Sequence, residues 1–207
     1  MSEIALPPAA LSPKRQAIIA AAAGLFMAHG YGAVSMDSIA REAGVSKATL
    51  YAHFASKDAL FANIIGGKCA EIAFDSEVFP EAVEDVGAAL TGIGLRLLRF
   101  LVAPQTQAMQ RVVIAESGRF PELGAAFLRA GPELFLARLR DWLVVQDRAG
   151  RLAIADATVA ADQFGAMLRP MMFLRALVGV PPAPSEPEIA ATVTAAVATF
   201  LRAFRRG

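Results

Sequence analysis

A chain of 207 residues with 56% apolar residues and only 8% aromatics can bury one large helical core or two smaller ones. A single cysteine, Cys69, excludes an intrachain disulfide framework or thiolate metal cluster, and two histidines, His29 and His53, leave little for a histidine metal site or a hydrolytic triad. The formal net charge of +1 says nothing about nucleic acid, but its distribution does: Lys14, Arg15, Arg41, Lys47, Lys57 and Lys68 against Asp37, Glu42 and Asp58 leave residues 13–68 at +3.

Residues 1–12 are rich in Pro and Ala and read as a disordered arm. Pro13 suits the first turn of a helix running to His29, with Ile18, Leu25 and Phe26 buried and Gly30 and Gly32 ending it. Lys14 and Arg15 either meet phosphate or are solvated. The stretch Ser35–Asp58, SMDSIAREAGVSKATLYAHFASKD, reads as two short helices around a tight turn. Ser35 caps the first, where Met36, Ile39, Ala40 and Ala43 form one apolar stripe. Gly44 sits where a helix end wants positive φ, Val45 plugs the turn, and Ser46 caps the next helix. Leu50 and Phe54, four apart, face inward. Lys47, Thr49, Tyr51 and His53 are left pointing outward. That is the build of a helix-turn-helix whose second helix lies in a DNA major groove. Its expected core is Ile39, Ala40, Gly44, Val45, Leu50 and Phe54.

Ser56-Lys57-Asp58 restarts a helix through about Phe74 with Leu60, Phe61, Ile64 and Ile65 as its stripe, and Gly66-Gly67 predicts a bend in it. A long helix is expected over Glu81–Ala103, then one from Gln105 to Ser117. The next runs past Phe127 to Trp142 with Gly131-Pro132 inside it, as two abutting helices or a kink. Another covers Ala157–Val178, kinked at Pro170. The last covers Glu188–Arg205. No strand pattern or glycine-rich phosphate loop is present. The reading is all-α: an N-terminal three-helix DNA-binding domain over 13–56 and a larger helical ligand-binding and dimerisation domain over 57–207, about nine helices in all. The longest apolar run, Ile189–Leu201, has 13 residues, short of the ~20 that span a bilayer, so no membrane is expected. Glu3 and the prolines at 7, 8 and 13 argue against a signal peptide, and a reducing cytoplasm fits.

The run SMDSIAREAGVSKATLYAHFASKDALF resembles the DNA-binding signature of TetR-family transcriptional regulators over about residues 14–65, including Gly44-Val45-Ser46, Thr49-Leu50-Tyr51, His53-Phe54 and Lys57. VVIAESGRFPEL and AGPELF, within 112–169, resemble the C-terminal domain of AefR- and AcrR-like members. The resemblance implies a repressor that leaves a palindromic double-stranded operator when a small-molecule effector binds. The alternative is a helical ligand-binding protein or enzyme in which the motif is incidental; no catalytic constellation, cofactor or metal site is expected.

Lys47 has the chemistry to reach guanine or phosphate, Thr49 a base edge or thymine methyl, and Ser46 a phosphate, with Ala48 beside them. The resemblance adds Tyr51 and His53 to the backbone contacts, and Lys57 to another phosphate. It also implies a homodimer through the last two helices, 157–178 and 188–205, whose many small residues suit close packing. An effector pocket in the middle helices would be apolar or amphipathic, with Phe100, Met109, Phe127, Trp142, Phe164, Met167 and Met171 as candidates for its lining. Each of these is equally suited to plain core.

Overall fold

The structure, a computed structural model, describes residues 12–73 and 78–205, apart from the side chains of Lys68, Ala70, Glu71 and Ala73. The arm over 1–11 lies outside the described residues. Eleven helices occur among them: α1 Pro13–His29, α2 Met36–Glu42, α3 Lys47–His53, α4 Lys57–Ala73, α5 Val86–Val102, α6 Pro104–Glu116, α7 Pro121–Ala130, α8 Pro132–Arg148, α9 Ala157–Met167, α10 Met171–Leu177 and α11 Glu186–Phe204.

Local chemistry sets the first three. Ser12 caps α1, accepting from the Arg15 N–H, and Gly30 ends it at φ 77°. Ser35 and Ser38 form a capping box on α2. Gly44, at φ 64°, turns the chain, and the Ser46 hydroxyl accepts from the Thr49 N–H at 3.1 Å to start α3. These helices close on Ile18, Ala22, Phe26, Tyr31, Ile39, Leu50 and Phe54. The same core continues through Leu60, Phe61 and Ile65 of α4, Met109, Val112 and Val113 of α6, and Leu123 of α7. Apolar packing therefore joins the helix-turn-helix to α4, α6 and α7 without a gap.

A second core is built from α5, α8, α9 and α11, around Leu90, Ile93, Leu98, Leu139, Leu143, Phe164, Val193 and Phe200. Several element boundaries differ from the sequence-based expectation. The helix expected from Glu81 starts at Val86, because the Asp85 carboxylate accepts from the Gly87 and Ala88 N–H groups. Gly66-Gly67 does not break α4; Gly66 lies where α7 comes close, and a Cβ there would sit 3.5 Å from that of Ala130. Gly131-Pro132 separates α7 from α8, with Pro132 in the first turn of α8. Pro170 likewise ends the run from Ala157 and precedes α10. Ser185 and Glu188 form a capping box that starts α11 at Glu186. Among the described residues no single helix is long and apolar enough to cross a membrane, and α5 and α6 meet at 64°.

Candidate nucleic-acid interface and its adjoining cavity

The outward face of α3 is assembled on one buried anchor. Leu50 is fully buried and Phe54 nearly so, while Ser46, Lys47, Ala48 and Tyr51 are exposed and Thr49 and His53 half-buried. Every residue expected to point outward from α3 is thus on or at the edge of its free face. Ile39 and Ala40 are buried, Val45 packs against the same core, and Gly44 makes the turn.

Three of the polar groups are held. Lys47 Nζ lies 2.8 Å from Asp37 Oδ1 of α2, and this hydrogen bond, with the carboxylate charge, holds the ammonium above its ordinary pKa. Both partners are well exposed, so the pair orients Lys47 more than it stabilises the fold. The Thr49 and Ser46 hydroxyls lie 2.8 Å apart and share a hydrogen bond. The Arg15 guanidinium lies over the Phe54 ring, 4.8 Å from its centroid, which places it on α3 rather than on free solvent.

Lys57, to which the resemblance gives a phosphate contact, has its side chain engaged within the protein. Its ammonium turns back and donates to the carbonyls of Tyr31 at 2.8 Å and Val34 at 2.9 Å. It also lies 4.2 Å from the centroid of the Tyr31 ring. The loop between α1 and α2 leaves those carbonyls without helical partners, and the long lysine stem reaches them from the first turn of α4. Burial lowers the Lys57 pKa, against the opposing charges of Asp58 and Glu116.

Tyr31, on the same loop, is buried among Phe26, Phe61 and Phe120 and donates its hydroxyl to Asp58. On its far side the loop meets the end of α6: a Cβ on Gly30 would stand 2.7 Å from Glu116 Oε1, and one on Gly32 3.1 Å from Glu116 Oε2. The segment that leads into the helix-turn-helix is therefore clasped by α4 on one side and by Glu116 and Phe120 of the body on the other.

Beside this clasp lies a cavity of about 400 Å³, within the range of small-molecule sites. It is lined by α1 (Ile19, Ala20, Ala23, Met27), α4 (Ile64, Ile65, Cys69, Ile72), α5 (Leu97, Phe100, Leu101) and α6 (Thr106, Met109, Gln110). Phe127, Phe135, Leu136 and Arg169 add to it from α7, α8 and the turn after α9, and Gln16, Gln105, Gly131, Pro132 and Gly165 also line it.

Of the expected lining residues, Phe100, Met109 and Phe127 are there, and the other four are not. Trp142 is core, its indole N–H donating to the Pro80 carbonyl at 3.0 Å. Phe164 packs edge-on to Phe200. Met167 packs against the second core, and Met171 is 74% exposed. Burial pushes the Cys69 thiol up to about 11, so little thiolate forms at neutral pH. The α1 residues are not among the expected lining, although Gln16, Ala20, Ala23 and Met27 recur every three or four residues, offset from the core stripe of Ile18, Ala22 and Phe26.

Residues 18–64 match the family model described as bacterial regulatory proteins, tetR family, and residues 88–206 match that of the AefR-like transcriptional repressor, C-terminal domain. The solved structure of the flavonoid-responsive regulator FrrA is 36% identical, with a TM-score of 0.79 over 94% of this chain and 98% of that one. A TetR-family regulator from Mesorhizobium loti MAFF303099 has a TM-score of 0.80 at 28% identity, over 93% of this chain and 97% of that one. The HTH-type transcriptional activator FasR of Mycolicibacterium smegmatis is 44% identical over 52 residues, 25% of this chain. That match spans only 24% of FasR itself, whereas the likeness to the two solved structures runs through both parts of the fold. With more than half of its length in the AefR-like model and its helix-turn-helix in the other, the chain belongs to the TetR family of bacterial DNA-binding transcriptional regulators.

Proposed function

We propose that this chain is a cytoplasmic repressor that binds a palindromic operator as a homodimer and leaves it when an apolar or amphipathic small molecule enters the cavity. The observation that carries this reading is the place of the cavity: α1 and α4, which frame the reader, form two of its walls. A molecule that fits best when those walls are displaced lowers operator affinity by the ratio of its affinities for the two arrangements.

On the DNA, α3 enters the major groove with Lys47 and Thr49 toward base edges. Ser46, Tyr51 and His53 serve the backbone, and Ala48 allows close approach. Lys57 has two of its three donors on carbonyls and one left for a phosphate. The faces of α9, α10 and α11 left exposed in one protomer, with Val159, Leu174, Ala191 and Ala195 among them, supply the dimer contact. A two-fold pair sets the α3 helices about 34–36 Å apart, one turn of duplex.

The reading as a helical enzyme or binding protein with an incidental motif is not favoured, because both family models describe regulators. Selection of genomic duplex fragments by the purified protein tests the proposal, and the description of FrrA makes a flavonoid a sensible first effector to add. Enrichment of an inverted repeat, released by an effector, is the expected result. Binding no tighter than to random duplex at low salt would sink it.

A further inference from the structure

Resting on the reading of the cavity as the effector site, we propose that it selects an apolar molecule bearing one neutral hydrogen-bonding group, a hydroxyl or carbonyl, which is held by the side-chain amide of Gln110. Gln110 is 9% exposed, lines the cavity, and makes no hydrogen bond with any described residue. Buried amides are ordinarily bonded, and each of the two other buried glutamines makes one side-chain hydrogen bond, leaving Gln107 Oε1 and Gln146 Nε2 without a partner. Gln107, one turn earlier on α6, donates to the Leu101 carbonyl, and Gln146 accepts from Arg151 Nε at 2.8 Å. Gln110 differs in making no such bond: it lines the cavity with Ile65, Leu97, Phe100 and Phe135, and none of the other polar lining residues, Gln16, Gln105, Thr106 and Arg169, bonds its amide.

An amide both donates and accepts, so a hydroxyl and a carbonyl each satisfy it. A carboxylate does not. At Gln110 it would bring a charge among apolar side chains against a neutral amide, and the cationic lining residue, Arg169, is solvent-exposed, where an ion pair offsets little of that desolvation cost. A site whose polar group is buried discriminates strongly against an analogue that leaves that group unpaired.

The test uses three probes of one shape, 4-phenylphenol, 4-methylbiphenyl and biphenyl-4-carboxylate, titrated calorimetrically into the full-length protein and into Gln110→Met. Wild type is expected to bind 4-phenylphenol about tenfold tighter than 4-methylbiphenyl and tighter than the carboxylate. Gln110→Met should lose the preference while still binding 4-methylbiphenyl. Equal affinity of wild type for the phenol and its methyl analogue, tightest binding of the carboxylate, or a preference that survives Gln110→Met would each overturn the role of Gln110 and leave the effector-site reading standing. If none of the three probes binds wild type, both readings fall together. The wild-type comparison remains decisive even if Gln110→Met does not fold.

Discussion

Tyr31 and Lys57 hold the entry to the helix-turn-helix in different ways, and each has a measurable consequence. Burial first, then the hydrogen bond and charge of Asp58, raise the Tyr31 phenol well above its ordinary 10.0. The folded state therefore keeps a proton that the unfolded state gives up once pH exceeds about 10. The stabilisation is complete below that pH and is lost as pH rises past it. Urea unfolding at pH 8 and pH 10.5 should show wild type weakening across the interval and Tyr31→Phe weakening less. At pH 7 the same substitution should cost about 1.5–3 kcal/mol, since it removes a hydrogen bond to a carboxylate.

For Lys57, the geometry forecasts that Lys57→Met lowers stability by about 1–3 kcal/mol, because the Val34 carbonyl loses its charged donor and the Tyr31 carbonyl keeps only a long bond of 3.4 Å from the Val34 N–H. Its operator affinity should fall together with its melting temperature. Weaker DNA binding at unchanged stability would mean that the lysine acts on phosphate alone.

Among the elements, α5 and α11 pack closely. A Cβ on Gly94 would lie 2.8 Å from Val193 Cγ1, nearer than packed carbons approach. Gly94→Ala gains helix propensity but must push α11 away, and overpacking of this kind costs about 1–3 kcal/mol. Val193→Ala makes room at the same spot. The double variant should therefore be more stable than the two separate losses imply, with a coupling of at least 0.5 kcal/mol in a thermodynamic cycle. Strict additivity would show that the helices have room to move apart.

How far such features could be read in the sequence depends on their range. The caps at Ser35 and Ser46, the turn at Gly44 and the breaks at Pro132 and Pro170 each act over three or four residues, and local pattern is enough to place them. Lys57 reaches carbonyls 26 and 23 positions earlier, so nothing local distinguishes it from a solvated lysine. The cavity is harder still. Helical period separates buried faces from exposed ones, but a face turned to a void and a face turned to a neighbour have the same composition. Phe164, which meets Phe200, and Phe100, which meets the cavity, look alike in the chain. Gln110 carries more information, because a polar residue on an otherwise apolar face has to be accounted for by something it touches.

At the scale of the whole molecule, the proposed operator contact calls for a second copy. One protomer offers a single seven-residue recognition helix, and the net charge of its reader is small, so nonspecific attraction contributes little of the affinity. Two such helices on a rigid frame bind as one unit, the second contact made at a high effective concentration, provided their spacing matches the duplex. The frame is sought in α11, where Ile189, Val193 and Phe200 are buried and Ala190, Ala191, Thr194, Ala195 and Ala198 lie on the opposite face, exposed. Small side chains there allow a partner helix to approach closely, and a long charged one does not. Ala195→Arg is exposed in the protomer, so it should leave helical content and the cooperative melt intact. Light scattering should then report a monomer, and affinity for a full palindromic operator should fall by about a hundredfold toward that for a half-site. A variant that remains dimeric would move the interface off this face of α11. A monomer that still binds the palindrome tightly would remove the need for a fixed spacing, and with it the route by which a ligand between α1 and α4 could release the DNA.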